Sequence, residues 1–208
     1  MNLLLVRHGE SIANTEGRMQ GQFDSPLSDW GREQARALAA RLVREGRAVA
    51  AIYASDLSRA AETAEILAAG LAAPLYLDAR LREFDVGDLT GVIWSEVESL
   101  YPELWKRIHE SDEYVRFPGE EDNEAFRVRL AEVLAFIQAR HGEDDTVAVV
   151  THGGSLGMLL THLLGMDTRR PFPFRFSNAS LSIVETGGRR TRLTLLNDTC
   201  HLDGEPVD

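Results

Sequence analysis

The chain has 208 residues, 44% hydrophobic and 26% charged, a balance that suits one globular domain with a substantial core and excludes a disordered or fibrous chain. Its net charge of −11 argues against nucleic acid as a partner, because phosphate backbones are held by basic surfaces. Cys200 is the single cysteine, which rules out an internal disulfide and fits a reducing, cytoplasmic compartment.

The first element is the apolar run Leu3-Leu4-Leu5-Val6, which meets Arg7-His8-Gly9-Glu10 at once. It is too short for a signal peptide or a membrane span and reads as an interior strand of a parallel sheet. From Ser28 to Arg44, Ala35, Leu38, Ala39 and Leu42 draw the apolar stripe of a helix packed on that sheet. A second short strand, Ala50 to Ala54, runs into Ser55-Asp56-Leu57-Ser58-Arg59 and a helix through Ala64, Leu67, Ala68 and Leu71. Asp56 is the expected N-cap, with Arg59 in the first turn. Residues 123 to 140 repeat the helical stripe with Phe126, Leu130, Val133, Leu134 and Ile137. Thr146 to Val150, mostly β-branched, is a third buried strand and empties into Thr151-His152-Gly153-Gly154 before another apolar helix. Arg169-Arg170 reads as a solvated turn before Pro171. Leu181 to Val184 and Leu193 to Leu196 flank Gly187-Gly188, as in an antiparallel hairpin at a sheet edge. The class is α/β, one domain over residues 1–208, without repeats or linkers.

Three strands therefore deliver Arg7 with His8, Arg59, and His152 to one rim if they are parallel neighbours, and open α/β sheets bind ligands beyond the carboxyl ends of their strands. Arginine forks match phosphate oxygens, and helix N-termini offer N–H groups to the same anion. A neutral imidazole is a competent nucleophile toward phosphorus, and cationic neighbours would keep His8 unprotonated. An alkoxide leaving group needs a proton. Glu83, in Leu81-Arg82-Glu83-Phe84-Asp85-Val86-Gly87, has apolar neighbours that would desolvate it and raise its pKa toward a donor's range; Asp85 and Glu10 are the competing carboxylates. Because the chain is acidic, local cations must invert the field at the pocket: Arg7, Arg59, Arg18 and His152 are the expected ones. His109, His141, His162 and His201 show no common ligand spacing and read as structural or surface residues.

Several ordered motifs carry a resemblance. Leu5-Val6-Arg7-His8-Gly9-Glu10-Ser11 with Asn14, Gln20-Gly21, Asp24, Leu27-Ser28 and Gly31 comes first, then Ser55-Asp56-Leu57-Ser58-Arg59-Ala60 with Thr63-Ala64. Arg82 to Gly91, Val150-Thr151-His152-Gly153-Gly154 and Asn178-Ala179-Ser180 follow. From residue 3 to about 200 the chain resembles the histidine phosphatase superfamily, the group containing cofactor-dependent phosphoglycerate mutases. The resemblance implies a three-layer α/β/α sandwich with a mostly parallel central sheet and a lid-like insertion at about 86–122. It implies phosphorylation of His8, phosphate binding by Arg7, Arg59 and His152, proton donation by Glu83, and substrate contacts from Asn14, Gln20, Gly21 and the Gly153 backbone. No metal and no cofactor are expected. The expected partner is a small phosphorylated metabolite, with a homodimer as a possible assembly.

Within that group the chain resembles phosphatases more than mutases. Mutases are usually longer, with basic insertions that hold a bisphosphate; here Lys106, Arg107 and Arg116 stand among Glu96, Glu98, Glu103, Glu110, Asp112 and Glu113, a poor setting for a highly charged cofactor. The ending Asn197 to Leu202 also resembles the phosphatase-like members, some acting on phosphoserine, ribazole phosphate or sugar phosphates. Val86 replaces a histidine of several relatives, and Glu120-Glu121 stands where Gly-Glu-Ser is common. A phosphoglycerate mutase is the alternative. A remote one is a serine hydrolase using Gly153-Gly154-Ser155-Leu156-Gly157 as a nucleophile elbow, with Asp198 and His201 following. A non-catalytic phosphate sensor would be expected to lack His8 or Glu83, and this chain keeps both.

Overall fold

In the computed structural model, which describes residues 1–111, 115–167, 173–187 and 190–202, six strands form one mixed sheet. They are Asn2–Arg7 (β1), Ala51–Ala54 (β2), Leu75–Leu77 (β3), Thr146–Thr151 (β4), Leu181–Glu185 (β5) and Arg192–Asp198 (β6), in the order β3-β2-β4-β1-β5-β6. The pairs β3–β2, β2–β4 and β4–β1 are parallel; β1–β5 and β5–β6 are antiparallel. The helices are Ile12–Thr15 (α1), Asp29–Arg44 (α2), Ser58–Leu71 (α3), Val97–Leu100 (α4), Pro102–Glu110 (α5), Asn123–Gln138 (α6) and Gly153–Leu163 (α7). None of the described helices is long and apolar enough to cross a membrane.

The apolar runs do not alternate with polar residues because both faces of the central strands are covered. Leu3, Leu5, Val147 and Val149 point to one face and pack with Phe126, Leu130 and Val133 of α6 and Leu156, Leu159 and Leu160 of α7. Leu4, Val6, Ala148 and Val150 point to the other, against Leu38 and Leu42 of α2 and Ala60, Ala64 and Leu67 of α3. Successive residues of one strand thus feed two cores, and the three layers are α/β/α. Each buried leucine contributes roughly 1.5–3 kcal/mol.

Ser28 caps α2 by accepting from Gly31 N, and Asp122 caps α6 by accepting from Glu124 N and Ala125 N. The expected Asp56 cap is not formed. Helix α3 begins one residue later, with Leu57 at the cap position and no side-chain cap bond from it. Asp24 Oδ1 takes the Ser58 N–H at 2.8 Å, while the Asp56 carboxylate receives Arg82 Nε and Nη2 at 2.7 and 2.6 Å. A two-point bond to a guanidinium outcompetes a single bond to an amide. The hairpin is present as β5–β6, with β6 at the edge; Gly188, Arg169, Arg170 and Pro171 lie outside the described residues.

Between Val86 and Asp122 the described residues leave the sheet and form short helical turns plus α4 and α5. Its two ends are tied by Asp88 N to Pro118 O and Glu121 N to Asp85 O, both 2.9 Å. It also pairs with the segment after α1 through Met19 N to Val92 O, 2.9 Å, and Gly91 N to Met19 O, 2.7 Å.

One close backbone crossing sets the first loop against α2. A Cβ on Gly31 would lie 2.0 Å from Glu10 O, and no rotamer change relieves contact with backbone. Gly31→Ala should therefore cost about 2 kcal/mol or more of stability, read as a lowered urea midpoint; an unchanged midpoint would contradict the crossing.

Candidate active site

Strands β1, β4 and β2 stop level with one another. Val6 and Ala54 both pair with Val150, and the exits are stitched by His8 N to Thr151 O at 2.9 Å and Ser55 N to Val150 O at 3.0 Å. Parallel neighbours ending together bring the following residues into one place, and the His8 and His152 rings lie 5.1 Å apart, edge to face. His8 Nδ1 sits 2.6 Å from Gly9 O. A carbonyl only accepts, so Nδ1 carries the hydrogen and Nε2 keeps the lone pair. His152 Nε2 is 2.9 Å from Ser55 Oγ.

Both arginines are anchored by carbonyls. Arg59, 1% exposed, donates Nη1 to Phe23 O at 2.7 Å and Nη2 to Gly21 O at 2.8 Å. Arg7 donates Nη1 to Phe176 O. Arg7 Nε, Arg59 Nε and His152 Nδ1 are buried without a hydrogen-bond partner, although buried polar groups are almost always bonded. A Cβ on Gly153 would stand 3.9 Å from Arg7 Nε, so the α7 N-terminus borders the same space.

Burial pulls the Arg59 pKa down to about 10, leaving it cationic at neutral pH. Burial first, then Arg59 and Arg7, holds His8 well below the ordinary histidine value. His152 is lowered by burial first, then Arg59, His8 and Arg7. Both imidazoles are neutral at pH 7.

Glu83 is half-buried, and its setting is more polar than its apolar neighbours in sequence suggest. Its carboxylate accepts from Gly154 N at 2.8 Å, Ser155 N at 3.0 Å and Phe84 N at 2.8 Å, and Ser155 Oγ lies 3.3 Å away. It therefore sits on the first turn of α7, where negative charge is favoured. A Cβ on Gly154 would lie 2.5 Å from Glu83 Oε1, so glycine is required for this seat.

The remaining sequence candidates fall into place unevenly. Ser11 Oγ lies 2.9 Å from both Asn14 Oδ1 and Gln20 Oε1, and Asn178 Nδ2 bonds Asn14 Oδ1 and His8 O at 3.3 and 3.2 Å. Asn14, Gln20 and Asn178 thus form one network reaching the His8 backbone, while Gly21 acts by holding Arg59. Arg18 is not turned to the pocket: it pairs with Glu16 and donates to Gly91 O at 2.8 Å. His109 bonds Trp105 O and His141 lies 3.0 Å from Tyr53 OH, which are structural roles. Ser55 was not anticipated, although it follows β2 as His8 follows β1.

Ser155, Asp198 and His201 do not form a triad. Ser155 Oγ is buried and donates to Arg82 O at 2.9 Å. Asp198 pairs with Arg41 of α2 at 2.6 Å, and His201 Nδ1 is 3.4 Å from the same Arg41 nitrogen. Those two residues belong to the α2 side, whereas α7 packs on the opposite face of the sheet. Among the described residues no group of three or more His, Cys, Asp or Glu could hold a metal ion.

A small tetrahedral oxyanion beside His8 Nε2 offers acceptors to the Arg7 and Arg59 Nε–H groups, and to His152 Nδ1 in the tautomer whose Nε2 accepts from Ser55 Oγ. With the sheet beneath it, such a pocket fits the phosphoryl-transfer class of enzyme. The chain belongs to the histidine phosphatase superfamily (branch 1), whose family model matches residues 3–199. Phosphoserine phosphatase 1 of Hydrogenobacter thermophilus is 37% identical over 97% of this chain and 94% of its own. A protein of Enterobacter sp. named "Probable phosphoglycerate mutase GpmB" is 37% identical over 100% of this chain and 98% of its own. The crystal structure of the alpha-ribazole phosphatase from Shigella flexneri superposes with a TM-score of 0.83 at 26% identity, covering 96% of this chain and 97% of that one.

The neutral imidazoles make stability depend on pH. An unfolded chain titrates them near 6.5, whereas the folded one refuses the proton until lower pH. Below about 6.5 the unfolded state binds more protons, so stability falls as pH falls, by at most about 1.4 kcal/mol per unit for each ring. Urea unfolding between roughly pH 7.5 and 5.5 should show a shallower slope in His152→Asn than in wild type; equal slopes would remove the neutral pair.

Proposed function

We propose that the protein hydrolyses small phosphomonoesters in two displacements, the first onto His8 Nε2 and the second onto water. The observation that carries this reading is a buried, neutral His8 beside His152, with Arg59 and Arg7 near enough to lower its pKa and with Arg7 Nε, Arg59 Nε and His152 Nδ1 all buried without partners. The guanidiniums bind the phosphate oxygens and stabilise charge on the transferring group. His152 Nδ1, Asn14 and the Gly153 backbone complete the cradle, with Gln20 and Gly21 supporting it. Glu83 protonates the leaving oxygen, then takes a proton from the water that attacks phosphohistidine. The whole chain acts as one domain, with residues of about 86–122 as a lid beside the pocket.

Water rather than a second hydroxyl is the acceptor, because the insertion is poor in cations. Arg116 pairs with Glu120 at 3.0 Å, and Lys106 and Arg107 share their helix with Glu103 and Glu110. A second phosphate has little to hold it there. A single cysteine, which leaves no internal disulfide to form, is compatible with a cytoplasmic enzyme. Inorganic phosphate released from a panel of phosphorylated metabolites, with and without 2,3-bisphosphoglycerate, tests this choice. Release independent of that compound supports a phosphatase, and isomerisation of 3-phosphoglycerate that requires it supports the mutase.

Quenching during turnover should trap phosphate in a bond stable to base and labile to acid, lost in His8→Ala, at a rate unchanged by excess EDTA. Turnover without labelling would remove the covalent step. Glu83→Gln should lower kcat/KM by about 10²-fold or more with alkyl leaving groups and by far less with p-nitrophenol, whose anion needs little protonation. Equal losses would mean that Glu83 only positions substrate.

A further inference from the structure

The loop that presents Glu83 is held almost entirely by side chains from other elements. Residues Arg80 to Glu83 lie outside the sheet and lack ladder partners. Arg129 of α6 donates Nη1 to Arg80 O at 2.8 Å and to Arg82 O at 2.6 Å, and Nη2 to Glu83 O at 2.8 Å. Its Nε and Nη2 bond the two oxygens of Glu121 at 2.7 and 2.8 Å. All five guanidinium N–H groups are therefore engaged. Thr151 Oγ1 donates to Leu81 O at 2.5 Å, so four consecutive carbonyls accept side-chain bonds. The Phe126 ring packs 4.8 Å from the Arg129 guanidinium carbon, and Glu121 bonds Asp85 through Glu121 N at 2.9 Å and Asp85 N at 3.3 Å.

We propose that Arg129 is the positioning residue for the general acid: by gathering the carbonyls of residues 80, 82 and 83 it fixes where the Glu83 carboxylate meets the leaving oxygen. The inference rests on reading Glu83 as that acid. An arginine is required because a planar fork spans three carbonyls and a carboxylate, whereas the three N–H groups of a lysine diverge from one point. Through Glu121, the same guanidinium couples the acid to the closing end of the 86–122 insertion. Arg129 makes no hydrogen bond to His8 or to the orphaned phosphate donors, although its charge is among those that lower the His152 pKa; Arg129→Lys keeps that charge, so it should affect protonation of the leaving group and leave phosphate binding intact.

The test is a series of aryl phosphates of graded leaving-group pKa, from p-nitrophenyl to phenyl phosphate, with kcat/KM measured for wild type, Glu83→Gln, Arg129→Lys and the double variant. Circular dichroism and the unfolding midpoint establish that each is folded. Arg129→Lys should lose about tenfold or more on phenyl phosphate and less than about threefold on p-nitrophenyl phosphate. The double variant should be no slower than Glu83→Gln, since one function cannot be removed twice. Glu121→Gln, which loosens the guanidinium but leaves its carbonyl bonds, should show the same bias at smaller size and serves if Arg129→Lys does not fold. If Glu83→Gln is biased toward poor leaving groups while the Arg129 and Glu121 variants lose activity equally on both substrates, or additively with Glu83→Gln, this inference fails alone. If Glu83→Gln itself shows no bias, the acid assignment fails and the inference with it.

Discussion

Two guanidinium groups withdrawn from water beside two imidazoles are the constraint on which the rest of this structure depends. Removing a charge from water costs several kcal/mol even after relaxation, and neither Arg7 nor Arg59 is hydrogen-bonded to a carboxylate. Backbone carbonyls of Gly21, Phe23 and Phe176 carry the compensation instead. Carbonyls satisfy N–H groups without neutralising the charge. The cradle therefore stays cationic toward a ligand, and both histidines stay neutral.

The arrangement also explains how a chain of net charge −11 can attract an anion. Most of its acidic groups are on the surface, where salt screens them beyond roughly 8 Å. The few cations that matter lie inside, where screening is weak, and surface arginines such as Arg18, Arg32 and Arg36 are committed to carboxylates. Glu83 stands apart from that surface population. Its seat on the first turn of α7 and the clamp from α6 give one carboxylate a defined place beside the cationic pair, and general acid catalysis requires such placement.

Much of this was legible in the primary structure. Unbroken apolar runs of four to six residues cannot be half-exposed strands, so β1, β2 and β4 and their two-sided burial follow directly. The residues after those runs, His8, Ser55 and His152, lie at strand exits, and the first and third were identifiable by chemistry. Glu83 was identifiable through its motif, although the polar bonding of its carboxylate was not. Strand β3 escaped notice because Leu75–Leu77 is only three residues, partly exposed at an edge. Asp56 was misread as a cap because its competing partner, Arg82, is 26 residues away.

What the sequence alone determined were properties with short range: strand and helix periods, and the set of side chains that phosphoryl transfer requires. Tertiary structure decided which polar group meets which. Arg129 looks like an ordinary solvated helix residue until α6 is laid beside the loop ending at Glu83, 46 residues distant, and Ser155 looks like a nucleophile until Asp198 and His201 are seen on the other face of the sheet. Hydrogen bonds and ion pairs extend only a few ångströms and carry no imprint along the chain, so their partners exist only once the layers have packed.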